Sequence, residues 1–297
     1  MSDRPPQISV VIGTPQGWPA VRVALEPLLE QAAAHDAELI VADGSGRGRP
    51  DGLGRKVVWL ERPGASVFQL YDAGLRRARG VFVALTEDHC APSPDWLASI
   101  LRAFDDHPDA AGIGGAVRNG SPQTLVDWAS YLITKGAYIS PLAARPRQIT
   151  TESNLAYRRA ALDGLDDHDG LGAMILLHNE ALRASGAVLV CDDRMVVAHH
   201  QSFPLPKTSA IHFHDGRVIA GFSRARMGRR DRLRLGLWPV LPLFRAVRAV
   251  ATALAKGQDP ALVVRAVPYV LWLQYCHAMG TALGYLTGVG RSAHRLH

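Results

Sequence analysis

The sequence predicts an α/β protein: a mostly parallel sheet with helices on both faces, followed by an α-helical C-terminal extension. Three observations predict it. Short apolar, β-branched runs alternate with helically spaced apolar residues through the first hundred positions, the pattern of parallel strands joined by crossover helices. Strand signals end near Pro206, and from there apolar residues recur only at helical spacing. Charge is uneven: the net charge is +6, yet ten Lys/Arg and one acid (Asp231) lie between Arg217 and Lys256, leaving the remainder slightly acidic.

Ile8-Ser9-Val10-Val11-Ile12 reads as a buried strand, and Val21, Leu25, Leu28, Leu29 and Ala32 mark the helix after it. Glu38–Ala42 and Lys56–Leu60 are the second and third strands. Val67, Leu70, Tyr71, Gly74, Leu75 and Ala78 form a second helix face, followed by a strand at Val81–Leu85 and a helix from about Asp95 to Phe104. The middle is less regular. Strands are expected at 111–117, 153–157, 188–190 and 195–197, and helices at 125–132 and 173–184. The chain accordingly divides into a domain over 1–205 and a basic, apolar helical extension over 206–297.

A hydrophobic content of 47% with 20% charged residues belongs to a chain that buries a core, not to a disordered one. The three cysteines, Cys90, Cys191 and Cys276, are scattered and form no CxxC, so neither a disulfide framework nor a cysteine zinc site is expected and a reducing compartment fits. The residues before the first strand contain no apolar run, so no secretory signal is expected.

Open parallel sheets bind ligands beyond the carboxyl ends of their strands. There the chain places Gly13-Thr14-Pro15-Gln16, Asp43-Gly44-Ser45-Gly46 and Thr86-Glu87-Asp88-His89. Acids at that edge repel a bare phosphate but suit a divalent cation bridging a diphosphate, or hydrogen bonds to a base and ribose. Asp88 fits the first role and Asp43 the second. Asp43 is also an ordinary turn residue, whereas two adjacent acids after an apolar strand are costly without a partner. Other phosphate motifs fail: no GxxxxGK[ST] or GxSxG occurs, and no helix follows the glycines after Asp43.

With these residues in view the chain resembles the family 2 glycosyltransferases, whose catalytic domain has the A-type glycosyltransferase fold. The resemblance runs in order through Ser9–Pro15, Ile40-Val41-Ala42-Asp43-Gly44-Ser45, Leu70–Gly80, Ala84–Pro92 at the place of the D-x-D element, Ser153–Arg159 and Val197-Ala198-His199-His200. It implies transfer of a sugar from a nucleoside diphosphate donor to a glycan or lipid-linked acceptor. It implies donor binding by Thr14, Pro15, Asp43, Asp72, Glu87 and Asp88, and Mn²⁺ or Mg²⁺ held by Asp88 with His199. Two positions depart from the family pattern. Thr86 stands where the first Asp of D-x-D is expected, and no acid stands near Met174-Ile175, where the family's general base falls. Of the acids nearby, Asp167 and Asp169 are the catalytic candidates. The missing base also motivates an alternative: a protein of the same fold that binds nucleotide sugars as a scaffold with impaired catalysis. A nucleotidyltransferase would want a lysine after the first strand, and none is present.

His168, His178, His199-His200 and His212-x-His214 form no HExxH and no common helical ligand pair, so no zinc site is expected. In the extension, Arg224, Arg226, Arg229, Arg230, Arg232 and Arg234 precede an apolar stretch over 235–254, and 266–289 contains no charged residue. Length alone would let the second stretch cross a bilayer, while its Pro, Gln, His and Gly suit an interfacial segment. The arginines fit anionic lipid better than nucleic acid, because no aromatic-bearing recognition module accompanies them. The expectation is a bacterial enzyme of surface glycan or glycolipid synthesis, on the cytoplasmic face of the inner membrane.

Overall fold

The computed structural model describes residues 4–54, 57–143, 149, 152–167, 170–228 and 236–296, the Arg226 side chain excepted. Lys56, His168, Asp169, Arg229, Arg230, Asp231, Arg232 and Arg234, named above, lie outside them. The chain forms two compact units: Met1–Arg118 with Ser140–His200, and Asn119–Ile139 with Gln201–His297.

The first unit is built on an eight-stranded mixed sheet in the order β3-β2-β1-β4-β7-β6-β8-β5. The strands are β1 (Ile8–Thr14), β2 (Ala37–Asp43), β3 (Val57–Glu61), β4 (Phe82–Glu87), β5 (Cys90–Pro92), β6 (Ala110–Asn119), β7 (Leu155–Arg158) and β8 (Val188–His199). β1 pairs in parallel with β2 and β4, and β2 with β3. The parallel run stops at β4. β7 pairs antiparallel with both β4 and β6, and β5 antiparallel with β8. Every residue of β1 and β2 is buried, which is what strands covered on both faces require and why they read as unbroken apolar runs.

Helices α1 (Arg22–Ala34), α2 (Val67–Arg77), α3 (Trp96–Asp106) and α5 (Ile175–Ala184) belong to this unit. Helix α2 begins in a capping box, Ser66 Oγ accepting from Gln69 N while Gln69 Oε1 accepts from Ser66 N. It lies tight on β1, because a Cβ at Gly74 would collide with Val11 Cγ1. Tyr71, Leu75, Val11, Val83, Leu85 and Tyr157 meet in one apolar cluster beneath it.

Each site-bearing strand runs further than its apolar core. β1 and β2 continue to Thr14 and Asp43, and β4 passes its apolar run to reach Glu87, with Thr86 Oγ1 donating to Ser153 O at 3.1 Å. Of the polar residues expected in the turns, Thr14, Asp43, Thr86 and Glu87 are therefore strand ends. The two short strands expected at 188–190 and 195–197 are one. The intervening Asp192 is buried against Arg194, whose Nε lies 3.0 Å from Oδ1, so the polar pair stays in the strand. Although burial raises the Asp192 carboxyl, its bonds to Arg194 leave it below the usual range.

The second unit is helical: α4 (Leu125–Thr134), α6 (Leu205–Ser223), α7 (Leu241–Ala255) and α8 (Pro260–Thr287). Ala129, Ala246, Ala266, Val270 and Leu273 form its apolar core. Helices α6 and α8 approach until backbones touch, since a Cβ at Gly280 would collide with Phe213 O and one at Gly284 with Arg217 O. Those glycines also dilute the apolar stretch at 266–289. Among the described residues no helix is long and apolar enough to cross a membrane.

Candidate functional site

Sheet register assembles the site. In β1 and β2, Thr14 stands opposite Asp43, and one residue back Gly13 stands opposite Glu87 of β4. Three polar side chains far apart in sequence thus share the carboxyl edge of the parallel strands. Asp88 and His89 then turn the chain into β5, where Cys90 pairs with His199 at the end of β8. A further bond, His200 N to His89 O at 2.8 Å, closes this second approach.

Asp43 is 1% exposed. Its Oδ1 accepts from Ser45 N at 2.8 Å, while Oδ2 is buried with no hydrogen-bond partner among the described residues. Leaving such an oxygen unpaired costs about 1–3 kcal/mol, a cost that a ligand N–H or hydroxyl would recover. Gly17 sits directly against this carboxylate, and any side chain there would meet Asp43 Oδ1. Pro15, half-buried after β1, lies beside Gly44, which follows β2. Thr14 Oγ1 accepts from Gly17 N at 2.9 Å and donates to Asp88 Oδ2 at 2.8 Å, tying the first turn to the one after β4.

The other Asp88 oxygen, Oδ1, lies 2.8 Å from His89 Nδ1. The far nitrogen, His89 Nε2, lies 3.1 Å from His199 Nε2 and 3.9 Å from Glu87 Oε2, and His199 Nε2 lies 3.7 Å from that same oxygen. Two ligands of one ion, bonded at about 2.0–2.2 Å, cannot stand more than ~4.4 Å apart, and all three separations meet this limit. Cys90 Sγ is 3.6 Å from Glu87 Oε2, and one ligand atom from each of Glu87, His89, Cys90 and His199 lies within 4.8 Å of the others. This donor set fits a divalent cation.

Among the residues expected from sequence, His199 belongs to the cluster, whereas Asp88 borders it with its oxygens turned to Thr14 and His89. Asp72, on α2, pairs with Arg76 Nε at 2.8 Å and leaves its Oδ1 buried without a partner among the described residues. Asp167 is held against α2 as well: its carboxylate lies 4.0 Å from Arg76 Nη2 and its carbonyl accepts from Gly172 N. The segment continues onto that helix through Gln69 Nε2 to Gly170 O at 2.9 Å and Ala173 N to Phe68 O at 3.0 Å. Where a family base would fall, Met174 and Ile175 are buried at the N-terminus of α5, with no acid in its first turn.

His89 and Cys90 are the residues whose part the sequence did not reveal. Glu-x-His after a strand was the available sign. Its partner His199 is 110 residues away and is supplied only by the β5–β8 register. Beneath the site, Tyr71 donates to Thr86 O at 3.3 Å; burial first, then Glu87, pushes its phenol well above the ordinary value, so it remains a donor.

The carboxyl edge of the parallel strands, where open α/β sheets bind ligands, thus carries acids and, among the described residues, an unpaired carboxylate oxygen. Residues 9–166 match the family described as Glycosyl transferase family 2, more than half of the chain, and the protein belongs to that family. A mannosyltransferase, PcManGT from Pyrobaculum calidifontis, solved in complex with GDP-Man and Mn²⁺, superposes with a TM-score of 0.57 at 18% identity, over 96% of this chain and 88% of that one. S. aureus TarS 1–349 gives 0.49 at 14% identity, over 92% and 90%. No curated protein matches the sequence.

Proposed function

We propose that the protein transfers a sugar from a nucleoside diphosphate sugar to a hydroxyl of a glycan or lipid-linked acceptor, assisted by a divalent ion, Mn²⁺ or Mg²⁺. The observation that carries this reading is the buried Oδ2 of Asp43, without a partner among the described residues, on the same strand edge as the Glu87–His199 cluster. Family membership supports glycosyl transfer, and the GDP-Man and Mn²⁺ of the mannosyltransferase complex support a nucleotide-sugar donor and a divalent ion.

In this reading Asp43 accepts a hydrogen bond from the base, and Thr14 and Pro15 wall the donor pocket. The acceptor oxygen attacks the anomeric carbon, the bond from that carbon to the diphosphate breaks, and a carboxylate takes the acceptor proton. The ion, when bound, offsets the charge developing on the leaving diphosphate. Asp167, half-exposed ahead of α5, and Asp169 are the carboxylates assigned to the proton. Asp167→Asn is expected to lower kcat by roughly 10²–10⁴-fold, the range of general-base losses; an unchanged rate removes Asp167 from the role.

Calorimetry with GDP and UDP, run with Mn²⁺, tests the donor site. Asp43→Ala is expected to weaken the preferred nucleotide at least about tenfold, the loss of one hydrogen bond to a buried charge. Equal affinity in the variant would sink the reading. The burial of Met174 and Ile175 in the base position favours a second reading, a nucleotide-sugar-binding scaffold without catalysis. Tight nucleotide binding with neither transfer nor hydrolysis of a donor panel distinguishes it.

The reading places the protein on the cytoplasmic face of a bacterial inner membrane, in surface polysaccharide or glycolipid synthesis. Support comes from helix α7 and the turn before it, where Leu237, Trp238, Val240, Leu243, Phe244 and Val247 are exposed in the most basic part of the chain.

A further inference from the structure

We propose that Glu87, His89 and His199 are the protein ligands of the ion, that Asp88 acts on it only through His89, and that the site selects an imidazole-preferring ion over Mg²⁺. This rests on reading the strand edge as a site for an ion and a nucleotide. Asp88 faces the wrong way for a ligand: Oδ2 accepts from Thr14 Oγ1 at 2.8 Å and Oδ1 lies 2.8 Å from His89 Nδ1. A carboxylate on Nδ1 holds that nitrogen protonated and leaves the lone pair on Nε2, the atom that faces His199 Nε2 and Glu87 Oε2. Metal-bound histidines commonly carry such a partner, whose loss costs about 10–100-fold in affinity.

The donors set the selectivity. Mg²⁺ prefers oxygen and gives up water reluctantly, while imidazole nitrogens suit later divalent ions, whose affinities rise from Mn²⁺ through Co²⁺. Two imidazoles and one carboxylate, with the Cys90 thiol inside the same 4.8 Å group, are a poor set for Mg²⁺. Three protein ligands also leave positions open for a diphosphate, as a closed structural site would not.

The full-length protein, stripped of metal by a chelator, is titrated with CoCl₂ while the visible absorption of the bound cobalt is followed. One equivalent is expected to bind, and a hundredfold excess of MgCl₂ is expected to leave the spectrum in place. Asp88→Asn should keep the band positions, because the ligand set is unchanged, and weaken binding about 10–100-fold, with Asp88→Glu recovering part of the loss. His89→Gln and His199→Gln should shift or abolish the bands. Displacement of cobalt by equimolar Mg²⁺ overturns the selectivity, an experiment that needs no variant. A shifted spectrum in Asp88→Asn beside an unchanged one in His89→Gln overturns the ligand assignment. GDP and UDP binding is measured on the same preparations, both in chelator and with cobalt present. Nucleotide bound without cobalt removes this ion site alone, whereas cobalt bound without nucleotide removes the transferase reading alone.

Discussion

At the scale of single residues, polar side chains in this protein divide by whether their partners are already present. Asn154 has all of its own. Wholly buried, it accepts from Trp96 Nε1 at 2.8 Å and donates to Ala116 O and Met195 O at 2.8 and 2.9 Å, joining α3, β6 and β8 through one amide. Its neighbours behave alike: Arg158 Nε donates to Ala110 O and its guanidinium lies 5.4 and 5.1 Å from the ring centres of the stacked pair Phe82 and Phe104, while Arg159 bonds Ala78 O. Asn154→Ala would strand an indole N–H and two carbonyls, each costing about 1–3 kcal/mol with partial relief, so a loss of roughly 3 kcal/mol is expected. Urea unfolding checks it, and a change under 1 kcal/mol would show that water replaces the amide. Asp43 is the opposite case, a buried carboxylate with one oxygen unmatched. The segment 153–159 resembles an acceptor-side motif, yet its Asn and both arginines are used in joining strands and helices. Sequence could identify these residues as special but not which kind they were, because both kinds are polar groups set among apolar ones.

At the scale of elements, the parallel strands and their helices were legible, since strands buried on both faces leave continuous apolar runs. Strand ends were not. Thr86 and Glu87 look like turn residues, and the pairing of Ile12 with Thr86 and of Gly13 with Glu87 holds them in β4. β5, three residues ending in Pro92, has no periodicity to read, and it carries Cys90 of the cluster and pairs with His199. In the helical unit the sequence showed apolar length but not which positions face a neighbouring helix, and two histidines there make a measurable difference. His212 of α6, its Nε2 3.0 Å from Ser130 Oγ, is lowered by burial to about 4. His277 of α8 is lowered to about 3 by burial, then by Arg245 and His212, although the partly exposed Asp215 lies 3.5 Å from its Nε2. Both fold as neutral rings and unfold as groups with the ordinary value near 6.5. The unfolded chain therefore binds more protons below that value. The stability they contribute is complete above pH 6.5 and is lost as pH falls toward 4 and then 3, at up to about 1.4 kcal/mol per pH unit for each ring. Thermal melts at pH 7, 6 and 5 should fall steadily, and His212→Asn should flatten the slope. A melting temperature constant over that range would mean the rings open to water before they charge.

At the scale of the whole molecule, charge and apolar exposure coincide. The net charge of +6 comes from the 217–256 stretch, the rest being slightly acidic. In that stretch Phe244 is 71% exposed and Val247 70%, one helical turn apart on α7, with exposed Arg248 beside them. No helix among the described residues is long and apolar enough to cross a membrane, so attachment through this face would lie along the surface. An anionic surface contributes about 1 kcal/mol for each arginine close to it, and burying a phenylalanine side chain roughly 1.5–3 kcal/mol more. The full-length protein is expected to sediment with phosphatidylglycerol vesicles, to bind phosphatidylcholine vesicles at least about tenfold less, and to be released by salt as the Debye length shrinks. Replacing Phe244 and Val247 together by Asp should cut binding to anionic vesicles by more than about tenfold, since both contributions are lost at once. The α7 positions are solvent-exposed, so the double variant should fold and melt like the unchanged protein. Equal binding to both vesicle types, or binding that survives the double substitution, would assign the exposed face to something other than a lipid surface.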